Sequence, residues 1–105
     1  MSWYKYKDSQ MVYGYHGTNI ELVDEIKRDG LVAKAGEEVW FSDNEDDLSP
    51  YVDGLWLRFP LPSNYATRTG MGSYYTTSDR ISPSRIEFKL NLYDSYKPLN
   101  KLNLH

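Results

Sequence analysis

Two periodicities take turns along this chain. In Gly54–Phe59, GLWLRF, the residues Leu55, Leu57 and Phe59 fall on one side and Trp56 and Arg58 on the other. That period of two is the one side chains adopt along a strand. Arg85–Leu92, RIEFKLNL, repeats it, so Ile86, Phe88 and Leu90 are expected inward and Arg85, Glu87 and Lys89 outward into solvent. Met11–His16, MVYGYH, sets Val12 and Gly14 against Tyr13 and Tyr15 in the same manner, and Glu38–Ser42 (EVWFS) and Ser73–Thr77 (SYYTT) are further short runs of β-formers.

Between the first two of these strands the period lengthens to that of a helix. Ile20, Val23 and Ile26, with Leu22, recur at helical spacing. Thr18-Asn19-Ile20-Glu21 reads as a capping box in which the Thr18 hydroxyl and the Glu21 side chain satisfy opposite unpaired N–H groups. Gly30 supplies the stop and Leu31 the apolar contact that seals it. Ser42-Asp43-Asn44-Glu45 reads as a second capping box, opening a short acidic turn of helix that Pro50 ends. Pro60–Gly72, with two prolines and two glycines, is expected to be a long mobile loop, and the polar tail from Tyr93 to lie on the surface. The sum is a mostly antiparallel α+β domain of about five strands and one main helix, a single unit over 1–105 with its core in about 11–92.

Composition narrows the chemistry. A chain of 105 residues is one domain by length, and a net charge of −3 creates no field that draws the whole molecule to nucleic acid or anionic lipid. With no cysteine there is no disulfide, thiol catalysis or cysteine-bound zinc, and with two histidines, His16 and His105, a multi-histidine metal centre is not expected. No apolar run approaches the ~20 residues that span a bilayer, and MSWYKYKDSQ lacks the apolar stretch of a secretory signal, which together point to a cytoplasmic protein without a membrane partner. Ten tyrosines suit sheet packing first, and stacking on a flat ligand second.

Candidate chemistry gathers at Tyr15-His16-Gly17-Thr18, where a strand end feeds a capped helix. Gly17 lets the backbone approach a ligand, the helix start offers free N–H groups, and His16 can donate and accept hydrogen bonds. The string YHGT, the capped helix ending in Gly30-Leu31, and then VWFSDN resemble the start of the ADP-ribosyltransferase fold. The likeness is to the histidine-tyrosine-glutamate branch, which includes the poly(ADP-ribose) polymerases and shares its fold with the RNA 2′-phosphotransferases.

The resemblance implies NAD as substrate, bound in a cleft between the first two strands, and transfer of ADP-ribose to a protein or nucleic-acid acceptor. It gives His16 the NAD ribose, the Gly17 backbone the nicotinamide amide, and Trp40 the nicotinamide ring. Thr18 would contribute from the helix start, and Tyr51 is a second stacking candidate. Trp40 replaces the family's usual tyrosine and keeps a stacking face. The family's glutamate falls on Ser73, which can bond a ribose hydroxyl but supplies no charge to an oxocarbenium-like state. Candidate catalytic residues are therefore His16, Trp40 and Ser73. The late segment Ile81–Phe88, ISPSRIEF, is similar to the family's proline-containing link into a strand. Compact versions of this kind suit phage or bacterial conflict systems. The geometric requirement is an imidazole and an indole facing each other across a hollow wide enough for a pyridine ring.

Two other readings remain open: a catalytically inactive relative that binds NAD, ADP-ribose or a nucleotide, and an interaction or inhibitor protein with no small ligand. Glu87, among Arg85 and Lys89, reads as a solvated-face residue, and Asp79 as a turn residue. The acidic run Asp43, Glu45, Asp46 and Asp47 fails as a calcium loop, because Leu48 and Gly54 stand where glycine and glutamate are required. Arg58, Arg68, Arg80 and Arg85 with Tyr65, Tyr74 and Tyr75 form a candidate phosphate- or nucleic-acid-contacting rim, and scattered surface arginines explain them equally well. No Walker loop, dinucleotide glycine fingerprint or serine-nucleophile motif is present.

Overall fold

The computed structural model describes residues 13–33, 38–67 and 74–103. The alternating Leu55, Leu57 and Phe59 make β3 (Gly54–Pro60) the most buried strand, with all three side chains fully enclosed. It pairs antiparallel along its whole length with β1 (Tyr13–Asn19), from Tyr13 opposite Pro60 to Asn19 opposite Gly54. β2 (Val39–Ser42), β4 (Ala66–Thr67), β5 (Tyr74–Thr77), β6 (Glu87–Lys89) and β7 (Lys97–Pro98) complete a seven-stranded sheet in the order β4-β5-β2-β1-β3-β6-β7. Every neighbouring pair is antiparallel. Helix α1 (Val23–Asp29) is the one α-helix among the described residues, so the fold is α+β, as the periodicities indicate. No helix there is long and apolar enough to cross a membrane.

The core lies on the α1 side of the sheet. Val23 and Ile26 of the helix meet Leu31, Val39, Phe41, Leu55, Leu57, Phe59, Ile81, Ile86, Phe88, Leu99 and Leu102. Burying one such aliphatic side chain contributes roughly 1.5–3 kcal/mol, which is why this face needs no further adhesive.

Several expectations are corrected, each by a long-range contact. Thr18 does not cap the helix. β1 runs on through Asn19, whose side chain accepts from Glu21 N at 2.7 Å, and a 3-10 turn (Ile20–Leu22) precedes α1. Ser42 likewise stays in β2; Asn44 caps a 3-10 turn (Glu45–Leu48) by accepting from Asp46 N, and the turn ends two residues before Pro50. The segment before β5 holds a strand, β4, paired to β5; residues 68–73 lie outside those described. The tail does not lie free on the surface, since β7 pairs with β6 and Leu99 and Leu102 enter the core. Pro98 is tolerated there because β7 is an edge strand.

Only Glu87–Lys89 of the expected Arg85–Leu92 strand forms, after a 3-10 turn at Pro83–Arg85. Its parity holds, with Phe88 opposite Leu57 and Lys89 opposite Trp56. Its solvent exposure does not. Lys89 is 5% exposed because Glu45 and Tyr96 cover that face, whereas Leu90, past the strand end, is 40% exposed.

Candidate functional site

The site arises from a fault in the sheet. β1 and β3 share seven register pairs, but β1 and β2 share one, Tyr15 with Ser42. Beyond it the two strands part, and His16 bridges the gap with Nδ1 2.6 Å from the Trp40 carbonyl oxygen. A carbonyl only accepts, so Nδ1 carries the proton and Nε2 keeps its lone pair. Desolvation between strands and helix pushes the imidazole below its ordinary 6.5, against the opposing pull of the Trp40 carbonyl. The ring is therefore neutral at pH 7.

At the parting lies a hollow of about 120 Å³, lined by Tyr15, His16, Gly17, Trp40, Phe41, Leu48, Tyr51 and Tyr74. The 3-10 turn forms one wall: Leu48 is buried, and Tyr51 N donates to Leu48 O at 2.7 Å. Gly17 is what allows that wall to come close. A Cβ there would stand 2.5 Å from Val52 Cγ2, so any side chain would push the Tyr51–Val52 segment outward. Tyr74, at the start of β5, donates its hydroxyl to Asp47 O at 2.7 Å, tying β5 to the turn. Its phenol is pushed above the usual range by desolvation and then by Tyr51, so it remains a neutral donor.

The structure thus brings His16, Gly17, Trp40 and Tyr51 to one hollow. It does not set the imidazole and the indole face to face. The register places His16 opposite Leu57, on the α1 face, whereas Trp40 shares the other face with Ser42 and Tyr15. The imidazole meets the Trp40 backbone, and the indole instead has Tyr74 beside it, 6.3 Å away at 63°. Thr18, opposite Leu55, borders a wider groove of about 680 Å³ between α1 and β2, with Glu25, Arg28, Asp29, Glu38 and Arg80. Ser73 lies outside the described residues.

Among the described residues no acidic side chain lines the hollow. Glu87 is paired to Arg58 at 2.6 Å, away from it. Asp79 pins the Ser63–Asn64 loop through Asn64 N at 3.2 Å. Of the arginine rim, Arg68 lies outside the described residues, Arg80 and Arg85 share a groove with Asp79, and Arg58 lies apart from them, between the Tyr13 and Tyr96 rings at 4.3 and 4.5 Å. Tyr75 sits on the opposite face from Tyr74, stacked on Phe41 at 5.4 Å. Desolvation, then Asp43, pushes its phenol up to about 12. No three His, Cys, Asp or Glu side chains come together among the described residues as a metal would need. Sequence reasoning named Tyr15 in the candidate cluster without a lining role, placed Tyr74 in a rim, and missed Phe41 and Leu48; strand pairing, which no local pattern encodes, is what assembles them.

No protein-family model, curated protein or solved structure matches the chain. Its class rests on fold and site: a small α+β protein with an aromatic-lined hollow where two central strands part.

One prediction follows from His16 alone. Its folded-state value lies below the unfolded 6.5, so the unfolded chain binds more protons as pH drops. Stability is whole above pH 6.5 and falls as pH is lowered from there toward about 5, before the carboxylates titrate. Denaturation midpoints across this window should decline in the parent and stay flat in His16→Gln; parallel declines would show that His16 is not the linked group.

Proposed function

We propose that this chain is an ADP-ribosyltransferase-like protein that binds NAD by inserting the nicotinamide ring into the β1–β2 hollow. The observation that carries the reading is the convergence of Gly17, Trp40 and Tyr51 on a single space of about 120 Å³. An apolar cavity of about 150 Å³ holds one benzene ring, and whole drug-sized ligands need roughly 300 Å³ or more. The hollow therefore suits one ring, with the remainder of the dinucleotide outside it. Trp40 and Tyr51, 37% and 51% exposed, have faces that solvent and ligand can reach. In this reading the Gly17 backbone would hold the ring's amide, and His16 would fix the Trp40 carbonyl at the edge of the hollow.

Transfer of ADP-ribose to a protein or nucleic-acid acceptor is the activity such binding would serve. A second reading, binding without cleavage, is favoured by one observation: no carboxylate among the described residues lines the hollow to stabilise positive charge on the ribose. Thermal shift with NAD and a nicotinamide-release assay separate the two. NAD at about a hundred times its dissociation constant should stabilise the fold by roughly 2.7 kcal/mol. Trp40→Ala should abolish the shift while leaving the fold intact, because the indole lies outside the main core. Release of nicotinamide supports transfer; a shift without release supports binding alone. Absence of any shift in the parent ends both readings.

A further inference from the structure

A second groove shares no lining residue with the hollow. It encloses about 460 Å³ between residues 60–63, where the chain leaves β3, and residues 79–81, where it leaves β5, with Arg85 beside them. Both walls are anchored. Leu31 and Ile81 exchange backbone hydrogen bonds at 3.0 and 2.9 Å, and Ile81 is buried. Arg85 N donates to Ser82 O at 2.9 Å within the Pro83–Arg85 turn, and the buried Ile86 follows. On the facing wall Pro60 and Pro62 fix their own φ angles. Asp79 ties the walls together by accepting from Asn64 N at 3.2 Å and from the Ser63 hydroxyl at 3.4 Å.

Two guanidinium groups therefore line one small space on backbone that is held in place. Arg80 commits its Nε to Asp29 O at 2.8 Å, which steadies the side chain and leaves its Nη groups to face a ligand. The Arg85 guanidinium is exposed and has no bonded partner among the described residues. Asp79 is the one carboxylate lining the groove among the described residues, and it forms an ion pair with neither arginine there. Two positive groups against one negative leave the space attractive to anions, and a guanidinium fork matches the oxygens of phosphate.

We infer that this groove binds a small phosphate monoester as its dianion. Arg80 and Arg85 hold the phosphate oxygens, and the organic group lies against Pro60, Leu61 and Pro62. Charge selects the phosphate: near neutral pH a monoester carries about −1.5 to −2, enough to answer both arginines, whereas a carboxylate carries half of that. Size selects the ester: ligand pockets run from roughly 300 Å³ upward, so the groove has room for a group beyond the phosphate itself. The inference stands apart from the ring site and does not need it.

The test is calorimetry on the full chain with phenyl phosphate, inorganic phosphate and benzoate. Phenyl phosphate should bind more tightly than benzoate, which keeps the ring with a single charge, and more tightly than inorganic phosphate, which lacks the ring. Arg85→Ala should weaken phenyl phosphate about tenfold, and Arg85→Lys, which keeps the charge without the fork, should fall between it and the parent. Both variants should keep the parent's urea midpoint, because the Arg85 guanidinium is exposed. Affinity should rise from about pH 5 to about pH 7.5 as the second phosphate proton leaves near pH 6. Benzoate binding equally well, or a flat pH profile, overturns the dianion; inorganic phosphate binding equally well overturns the ester. Undiminished affinity in Arg85→Ala, or silence from every probe, overturns the site. Trp40→Ala should leave phenyl phosphate binding unchanged; its loss there would put the probe in the hollow and overturn the inference while the ring site survives.

Discussion

Gly30→Ala is expected to lower the unfolding free energy by about 3–4 kcal/mol. Gly30 ends α1 with φ 79° and ψ −159°, a region that side chains with a Cβ scarcely enter. It is held there from both sides. Its N–H donates to Ile26 O at 2.7 Å, closing the helix, and the next residue exchanges two backbone hydrogen bonds with Ile81 at 3.0 and 2.9 Å. A Cβ on Gly30 would lie 2.0 Å from Ile81 O and 3.0 Å from Pro83 Cδ. The collision is with backbone, so no rotamer change relieves it. Alanine must either break the helix cap or open the Leu31–Ile81 bridge, and the second choice pulls two buried core residues apart. Asparagine gives no rescue, because ψ −159° is far from the left-handed helical well that asparagine tolerates. Urea unfolding should show the midpoint shifted at constant slope. A loss under about 1 kcal/mol would mean that the chain reroutes around residue 30 and that the bridge contributes little.

The same glycine shows what the sequence makes legible. A stop signal, a helical period and an alternating strand are local features, so Gly30, α1 and β3 can be read from the letters alone. What cannot be read is how far each strand continues once it finds a partner. Thr18 satisfies every local criterion for a helix cap, yet the pairing of β1 with β3 extends one residue further, to Asn19 opposite Gly54. The cap passes to Asn19, which Asp53 also anchors through a 2.8 Å bond from Asn19 Nδ2.

Faces pose the same problem. Alternation within β1 sorts His16 from Tyr15, and alternation within β2 sorts Trp40 from Phe41, but the two sortings are joined only by the register of Tyr15 with Ser42. A slip of one residue would have brought imidazole and indole together. The hollow is thus partly legible: Gly17 and Trp40 follow from YHGT and VWFSDN, whereas Tyr74 depends on β5 pairing with β2. Lys89 illustrates a further limit. Its outward parity is correct, but outward means solvated only where nothing covers the face, and Glu45 comes from 44 residues away to cover it.

That covering contact carries the second large effect. Glu45→Ala should cost about 2–3 kcal/mol and weaken the proposed ring binding as well. Glu45 accepts from Lys89 Nζ at 2.9 Å and from the Tyr96 hydroxyl at 2.6 Å, so its two oxygens fasten the 3-10 turn to β6 and to the chain before β7. Desolvation, then Glu45 itself, pushes the Tyr96 phenol well above its ordinary range, which keeps it a donor at any physiological pH. Removing the carboxylate leaves an ammonium that is 5% exposed with only Leu92 O at 2.8 Å and the faces of Tyr96 and Trp56 for company. The usual loss for stripping one member of a buried pair is about 3–5 kcal/mol, and the loss here falls somewhat below that range because Glu45 is itself partly exposed. Lys89→Met alone removes the charge instead of stranding it, so the cycle of Glu45→Ala, Lys89→Met and the double variant should show a coupling above 1 kcal/mol. Additive losses would mean the pair is incidental. The ligand readout separates a structural clamp from a functional one. Leu48 and Tyr51 wall the hollow from the segment that Glu45 begins, so the double variant should recover stability while its ring affinity stays low, because the turn remains unfastened from the sheet that it encloses.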